Sequence, residues 1–173
     1  MMRRAQMARW RRVYLLGVVA WLCAATFLAG CAVSSPSSDT TIVQRVIDGD
    51  TVELSDGRKV RYIGVDTPEV RQRNRQGGWV KKPEPYAEEA TAFNRQLVEG
   101  KAVRLEQDVQ SHDRYGRLLA YVYAGELFVN AELVRQGYAV PLTIPPNVRH
   151  AELFRDLARE ARQEQRGLWS IRE

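Results

Sequence analysis

The chain has 173 residues, 27% of them charged, and a formal net charge of +5 at pH 7. Residues 1–30 contain five of the 26 basic side chains and none of the 21 acidic ones, so residues 31–173 carry 21 of each. Overall basicity therefore gives no argument for polyanion binding, which has to come from local patches. The only cysteines are Cys23 and Cys31, which excludes a disulfide-stapled domain. The remaining length of about 135 residues is enough for one domain with its own core.

The N-terminus predicts an exported protein. Five arginines within the first twelve residues precede an acid-free apolar run from Val13 to Gly30, which is the layout of a signal peptide. The run ends in Leu28-Ala29-Gly30-Cys31, which resembles the bacterial lipobox, so we expect residues 1–30 to be removed and Cys31 to carry lipid. Because Ala32 follows rather than Asp, we expect an outer-membrane lipoprotein facing the periplasm or the surface. A soluble secreted protein with an ordinary cleaved signal and an uncleaved anchor are the alternatives.

After a Ser-rich tether over residues 31–39, the pattern from residue 40 predicts a domain that extends to residue 173. Strand-like sequence around Ile42–Ile47, Thr51–Leu54 and Lys59–Val65 alternates with the turn signals Asp48-Gly49 and Ser55-Asp56-Gly57. This order predicts a three-stranded meander.

The rest of the chain predicts three helices and two further strands. Residues Val70 to Pro85 lack a periodic apolar face and predict a long loop. We then expect a helix at Ala87–Val98, strands at Ala102–Gln107 and Leu118–Tyr123, a short helix from Asn130 to Gly137, an irregular stretch at Tyr138–Pro146, and a last helix at Asn147–Gln165. Five strands with interposed helices favour a mainly β, α+β fold built on a small antiparallel barrel of the OB type. An α+β sandwich fits this pattern nearly as well.

Four acidic residues lie close together in the meander and just after it. Asp48 occupies a turn, where Asp is favoured on structural grounds alone, whereas Asp50 opens a strand, where Asp is disfavoured. Asp66 ends the third strand, so the meander can bring it beside Asp50 as a second oxygen ligand for a hard cation. Glu69 is then placed to orient or deprotonate a water molecule, although an exposed loop charge is the simpler interpretation.

Two arginines near these acids are candidates for binding a phosphate group. Arg61 lies in the third strand and Arg117 follows Tyr115-Gly116; guanidinium groups bind phosphate in a bidentate manner and neutralise the charge that develops on phosphorus. A solvent-facing strand position and a turn residue are the alternatives. The loop adds five basic residues around Trp79, and these predict either a nucleic-acid clamp or a solvated face: Arg71, Arg73, Arg75, Lys81 and Lys82. His112 and His150 are predicted to be surface residues.

From Thr40 to Ser170 the chain resembles the staphylococcal nuclease (thermonuclease) family. Separated motifs in the correct order carry the resemblance: Asp-Gly-Asp-Thr at 48–51, Arg-Tyr-Ile-Gly-Val-Asp-Thr-Pro-Glu at 61–69, Asp-Arg-Tyr-Gly-Arg at 113–117 and Gly-Leu-Trp-Ser at 167–170. The resemblance implies a five-stranded Greek-key OB-fold barrel with three helices. It also implies a Ca²⁺-dependent endonuclease that acts on DNA and RNA and leaves 3′-phosphates.

The resemblance also implies roles for individual residues. Asp50 and Asp66 would bind Ca²⁺ through their carboxylates and Thr67 through its backbone carbonyl. Glu69 would act on the attacking water, while Arg61 and Arg117 would bind the scissile phosphate. Asp48 is expected beside the metal ligands. Arg114 and Tyr115 are expected near the substrate.

Two departures from the family pattern bear on substrate binding. The segment before the last helix, Pro141-Leu142-Thr143-Ile144-Pro145, lacks the tyrosines on which the family stacks a base. The loop after Glu69 is also longer and richer in arginine, so Trp79 and its neighbours are candidates for the missing grip. We expect a monomer with no protein partner. A non-catalytic OB-fold module that binds nucleic acid or protein is the alternative function, whereas a purely structural envelope lipoprotein would explain none of the site acids.

Overall fold

The computed structural model describes residues 39–73 and 78–170; the predicted signal peptide, the predicted lipidation site Cys31 and Arg75 lie outside these residues. Ten strands and three helices are present in the described part of the chain, with a final 3₁₀ turn at Gly167–Ser170. The strands are β1 Asp39–Asp48, β2 Thr51–Leu54, β3 Lys59–Tyr62, β4 Val65–Asp66, β5 Arg71–Arg73, β6 Trp79–Lys81, β7 Ala102–Glu106, β8 Leu118–Ala124, β9 Leu127–Phe128 and β10 Val140–Pro141. The helices are α1 Ala87–Val98, α2 Val129–Arg135 and α3 Ala151–Gln163.

Five of the strands form a closed barrel, which confirms the predicted OB-type fold. The strands are ordered β3-β2-β1-β7-β8, and β3 also pairs with β8, so the sheet closes on itself. The closing pair is parallel and sets Arg61 opposite Leu119, whereas the other barrel pairs are antiparallel. Closure therefore brings the sequence around Arg61 next to the start of β8.

Alternating side chains of these strands fill the barrel. Val52 and Leu54 of β2, and Val60 and Tyr62 of β3, are at most 2% exposed. This alternation is what a strand with one buried face requires. Helix α3 covers one side of the barrel with Phe154, 1% exposed.

The turn between β3 and β4 lies directly against α3. Gly64 has a φ of +80°, and a Cβ at this position would lie 2.4 Å from the Phe154 ring. Only glycine satisfies both the left-handed backbone and this close approach. The contact fixes β4, which carries Asp66, relative to the barrel.

Several predicted element boundaries are wrong in detail. The third strand ends at Tyr62, and β4 pairs instead with β10, Val140 opposite Asp66. The predicted loop at Val70–Pro85 contains a hairpin in which β5 and β6 pair. Helix α2 runs from Val129 to Arg135 instead of Asn130 to Gly137, and α3 begins at Ala151 rather than Asn147.

No helix among the described residues is long and apolar enough to cross a membrane.

Candidate active site

The turn between β1 and β2 packs against the segment that follows β4. The Asp50 carboxylate is almost buried, with the residue 4% exposed, and its Oδ2 accepts a hydrogen bond of 2.9 Å from the Thr67 amide. A Cβ on Gly49 would lie 2.6 Å from Thr67 Oγ1, so glycine permits this approach. The Asp-Gly-Asp-Thr turn thereby holds Asp50 beside the backbone of Asp66 and Thr67.

Arg61 lies between the two candidate metal ligands. Its side chain is 15% exposed and forms ion pairs with Asp50 and with Asp66, the latter over 2.6 Å from Nη2 to Oδ1. The two carboxylates thus face one positive group, although Asp66 lies on β4 and not at the end of the predicted third strand. Because Arg61 follows Val60 within β3, the barrel core fixes the strand from which this guanidinium projects.

The donor set fits a calcium ion. Asp50 and Asp66 offer hard carboxylate oxygens toward a shared cation position, which Ca²⁺ prefers, and the Thr67 backbone is in contact with the first of them. No group of three or more His, Cys, Asp or Glu side chains suited to a metal is found in residues 39–73 and 78–170. The Thr67 carbonyl and water would therefore have to complete the shell.

Glu69 and Asp48 form the acidic side of the site. Burial raises the pKa of Glu69; the charges of Asp48 and Asp66 raise it further and Arg61 lowers it. Burial also raises the pKa of Asp48, against hydrogen bonds from Thr51 and the charges of Arg61 and Arg117. Asp48 is therefore influenced by both arginines and Glu69 by Arg61.

The segment that carries Glu69 is held by a neighbouring loop. The Glu69 amide donates to the Glu84 carboxylate over 3.0 Å, and the Glu84 amide donates to the Glu69 carbonyl over 3.0 Å. Glu69 itself is exposed, so a water molecule can reach its carboxylate.

Arg117 is fixed by Asp113, a residue whose role the sequence did not predict. One Asp113 oxygen accepts the amides of Tyr115 and Arg117, each over 2.9 Å, and the other pairs with Arg117 Nε at 2.7 Å. Gly116, with a φ of +79°, completes the turn. The Asp-Arg-Tyr-Gly-Arg spacing could have revealed this role, because Asp commonly accepts from backbone amides two residues on in turns.

Both arginines open onto one cavity of about 470 Å³. Its lining includes Arg61 and Arg117, with Tyr115, Leu142 and Ile144 among the exposed walls. Arg114 also lines the cavity and donates to the Tyr115 hydroxyl over 2.7 Å. Cationic groups at one part and apolar walls at another suit a nucleotide, which has a phosphate and a flat base.

Buried asparagines that sequence reasoning missed support the site from behind. Asn94 of α1, fully buried, accepts a hydrogen bond from the Tyr62 hydroxyl over 3.0 Å and donates to the Asp48 carbonyl over 3.3 Å. Asn130, also fully buried, joins the Val122 amide to the Ile63 carbonyl, each over 2.9 Å. The available signal was an amide among the apolar positions of each helix, since buried polar groups are expected to have partners.

The basic loop is only partly described. Arg71 and Arg73 lie on β5 and Trp79 on β6, but their side chains are outside the described residues, as is Arg75. Lys81 is 68% exposed and pairs with Glu88 over 2.7 Å, and Lys82 is exposed. The predicted clamp stays a prediction.

His150 is not the surface residue that the sequence predicted. It packs against Tyr121 and Phe128, with ring centroids 4.5 and 5.0 Å away. Its Nε2 is buried and has no hydrogen-bond partner among the described residues. The other histidine, His112, is exposed as predicted.

Comparison with known proteins agrees with this architecture. Residues 59–171 match the protein family described as Staphylococcal nuclease homologue. The chain is 37% identical over 134 residues to the Thermonuclease of Staphylococcus intermedius, covering 76% of each chain. It is 37% identical over 140 residues to the Thermonuclease of Staphylococcus hyicus, covering 79% of each. It is also 38% identical over 133 residues to Endonuclease YncB of Bacillus subtilis, covering 74% of this chain and 60% of that protein.

Proposed function

The chain belongs to the staphylococcal nuclease family, and from this premise we propose that it is a Ca²⁺-dependent endonuclease that hydrolyses the phosphodiester bonds of DNA and RNA. The observation that carries the proposal is the position of Arg61, which lines a cavity together with Arg117 while it faces the carboxylates of Asp50 and Asp66. A phosphate in that cavity would meet two guanidiniums at the edge of a calcium site.

The two arginines bind and polarise the scissile phosphate. Arg117 presents its guanidinium from a turn that Asp113 holds rigid. Asp50 and Asp66, which pair with Arg61, are the carboxylates that would hold a calcium ion, and Arg61 would then be free to bind the phosphate oxygens. Donors held in place before the reaction stabilise the additional negative charge on phosphorus, typically by about 3–4 kcal/mol for each donor.

Glu69 positions the attacking water. Its carboxylate is influenced by the charge of Arg61 and is reachable from solvent, so it accepts the water proton as the oxygen attacks phosphorus. The phosphorus to 5′-oxygen bond breaks, the 5′-oxygen takes up a proton, and the other fragment keeps a 3′-phosphate. Calcium, when bound, supplies Lewis-acid charge neutralisation next to the phosphate.

The apolar walls of the cavity support weak discrimination between bases. Leu142 and Ile144 are 37% and 60% exposed, and aliphatic side chains contact any base without reading its hydrogen-bonding edge. Two tyrosines line this cavity, and Tyr115, 69% exposed, is the one open to a base, since Tyr62 is buried. Trp79 is a second proposed stacking residue.

The proposed location is the bacterial outer membrane, through lipid on Cys31 after removal of residues 1–30. The support is the sequence Leu28-Ala29-Gly30-Cys31 at the end of an apolar run. Mass spectrometry of the membrane fraction tests it: the proposal requires an acylated Cys31 as the first residue. An unmodified N-terminus at another position would contradict it.

A cleavage assay tests the proposed activity. The purified protein is incubated with end-labelled single-stranded DNA or RNA, with Ca²⁺ or with EDTA, and the product ends are analysed. We expect calcium-dependent internal cleavage that leaves 3′-phosphates. Binding without cleavage, or equal cleavage in EDTA, would contradict the proposal.

A further inference from the structure

A second cavity, of about 540 Å³, adjoins the reaction centre. It lies between β1, β6, α1 and the segment after β4, and it shares no lining residue with the cavity of Arg61 and Arg117. Both volumes are within the range of about 300–1,000 Å³ that is usual for ligand sites. The proposed function takes Glu69 from this cavity but places no part of the substrate in it.

The two cavities meet at Asp48 and Glu69. Both acids line the second cavity. Asp48 Oδ1 accepts a hydrogen bond of 3.1 Å from the Asp50 amide, and the Asp50 carboxylate pairs with Arg61, which lines the first cavity. Glu69 lies two residues after Thr67, whose amide donates to the same Asp50 carboxylate over 2.9 Å. The expected position of the scissile phosphate is therefore at the boundary between the cavities.

The chemistry of a phosphodiester requires space on two sides of this boundary. The phosphorus is bonded to two nucleosides through different oxygens, and tetrahedral geometry directs them apart. If the leaving nucleoside occupies the cavity with Tyr115, the nucleoside on the other oxygen needs a separate path. Glu69, which acts on the water, lines the second cavity, so attack in line with the leaving oxygen directs the leaving side toward the first cavity.

Side chains of the second cavity suit a single nucleic-acid strand. Its lining contains three cations, Arg45, Lys81 and Arg95, and three acids, Asp48, Glu69 and Glu88. The side chains of the cations are 62%, 68% and 50% exposed. Ile47, 37% exposed, and Val70 add aliphatic surface. Cations that follow a backbone, next to surfaces that contact sugars and bases, are typical of single-strand grooves.

The cations of the cavity are available for phosphate. Each pairs with one carboxylate: Arg45 with Glu53 over 2.7 Å, Lys81 with Glu88 over 2.7 Å and Arg95 with Glu99 over 3.5 Å. The cation is the more exposed partner in each pair. A phosphate can therefore approach each cation from solvent, beside the carboxylate.

We propose that this second cavity is a binding subsite for the segment of a single-stranded polynucleotide on the 5′ side of the cleaved bond. The segment on the 3′ side, which leaves with a 5′-hydroxyl, occupies the cavity of Arg61 and Arg117. The subsite rests on the proposed function, and it makes the protein an enzyme for internal bonds of extended strands.

Two single-stranded DNA substrates test the subsite with the full-length protein. Each contains one cleavable phosphodiester. In the first, three charged but slowly cleaved phosphorothioate linkages extend on the 5′ side and uncharged methylphosphonates on the 3′ side; the second has the reverse arrangement. The variant Arg45→Gln/Arg95→Gln is compared with Arg155→Gln/Arg159→Gln, whose arginines on α3 are similarly exposed, 59% and 68%, and similarly paired.

The subsite predicts an effect on one substrate only. For the substrate with the charged 5′ arm, the Arg45/Arg95 variant should lose about fivefold or more in kcat/KM, through KM. The slope of log(kcat/KM) against log salt should become shallower by about 0.7 for each phosphate that the variant no longer binds. The 3′-armed substrate should change by less than about twofold, and the α3 variant should change neither. Lys81→Gln, a milder change, should shift the same substrate in the same direction.

Equal losses on both substrates, or no loss on the 5′-armed one, would overturn the subsite. If the Arg45→Gln/Arg95→Gln variant does not fold, the same comparison of the two substrates is made with Lys81→Gln. If the unaltered protein does not cleave an all-phosphodiester strand, the proposed function fails and the subsite with it. If the unaltered protein cleaves that strand but the Arg45/Arg95 variant affects the 5′-armed and 3′-armed substrates equally, the subsite is refuted and the proposed function is not.

Discussion

Arg61 is the residue that links the proposed metal site to the proposed phosphate site. Its guanidinium pairs with Asp50 and Asp66, the same carboxylates that the calcium proposal requires. This pairing neutralises part of the negative charge of the two carboxylates when no metal ion is bound. Calcium and phosphate are therefore expected to bind cooperatively, because a metal on the carboxylates frees the guanidinium for the substrate.

Calcium should stabilise the folded protein in the absence of substrate. At ten times its dissociation constant, a ligand that binds only the folded state adds about 1.4 kcal/mol, which raises the Tm of a domain of this size by about 5 °C. The Asp50→Asn variant should lose this rise, because one charged ligand is gone. Differential scanning fluorimetry with a calcium titration measures both.

The matched control for Asp50 is Asp56→Asn, because Asp56 lies in the exposed β2–β3 turn. This variant should keep the full calcium-induced rise. A rise that persists in Asp50→Asn would place the metal elsewhere.

Asp113 should govern the rate through Arg117. In Asp113→Asn, the side-chain oxygen can still accept the backbone amides, but the charged partner of Arg117 Nε is lost. Misplacement of a phosphate-binding group by about 1 Å can cost about 100-fold in rate, so we expect kcat to fall by about 10- to 100-fold with a smaller change in KM. Steady-state kinetics on single-stranded DNA measure the split.

Asp56→Asn again supplies the comparison for Asp113. Asp56 accepts the Arg58 amide over 3.0 Å and pairs with Arg58 Nε over 2.7 Å, the same two contacts in a turn outside both cavities. It should leave kcat unchanged. A similar loss of kcat in both variants would show a general effect of the turns.

At the level of elements, helix α1 connects the turn at Asp48 to strand β3 of the barrel through Asn94. The predicted boundaries of α1, Ala87–Val98, agree with the structure, since acidic residues begin it and Gly100, with a φ of +73°, follows it. Periodicity predicts the helix but not the role of Asn94. That role depends on where a distant turn and a distant strand lie.

Asn94→Ala should destabilise the fold by about 1–3 kcal/mol, because it leaves the buried Tyr62 hydroxyl unsatisfied. In the double variant with Tyr62→Phe, part of this loss should be absent, which gives a coupling energy of at least about 0.5 kcal/mol. Urea unfolding of the four proteins in the cycle measures the coupling.

Thr91→Val is the control on the same helix. Thr91 Oγ1 donates to the Ala87 carbonyl over 2.8 Å, within α1, so its cycle with Tyr62→Phe should show a coupling near zero. Equal coupling in both cycles would contradict the specific role of Asn94.

The start of the last helix shows why some elements could not be predicted. The sequence pattern predicts a helix from Asn147, but the Asn147 side chain is bonded to the backbone of Gln110, over 2.7 and 2.8 Å. A local pattern does not show such a partner. The same applies to β4, which leaves the meander to pair with β10.

At the level of the whole molecule, barrel closure assembles the two arginines. Strand β3 pairs with β8 in parallel, with Arg61 opposite Leu119, and Arg117 immediately precedes β8. The sequence alone showed local strands and, through the motifs, the residues to expect in a site. It could not show this closure, because the pairing joins positions far apart in the chain, and periodicity reports only which face is buried.

Stability should fall as the pH is lowered below about 6.5, in part through His150. Burial lowers the pKa of His150; Glu106 and Asp108 raise it and Arg149 lowers it, leaving it below its ordinary value. Because the unfolded state then binds the proton more readily, stabilisation is complete above about pH 6.5 and declines toward the folded-state pKa. Urea unfolding at pH 7.5 and 5.5 measures the decline.

His150→Phe, which keeps an aromatic ring in the cluster, should reduce this decline. His112→Gln, at the exposed histidine, should leave it unchanged. An unchanged decline in His150→Phe would assign the pH dependence to other groups.

The most direct test of the proposed active site is the single-turnover rate of single-stranded DNA cleavage in saturating Ca²⁺. The unaltered protein is compared with Arg61→Ala, Glu69→Gln and, as a control outside the site, Arg58→Ala, whose guanidinium pairs with Asp56. We predict losses of about 100-fold or more for the two site variants, the size expected for a transition-state donor or a general base, and a rate within about twofold for Arg58→Ala. Site variants that are folded and cleave as fast as the unaltered protein would contradict the account.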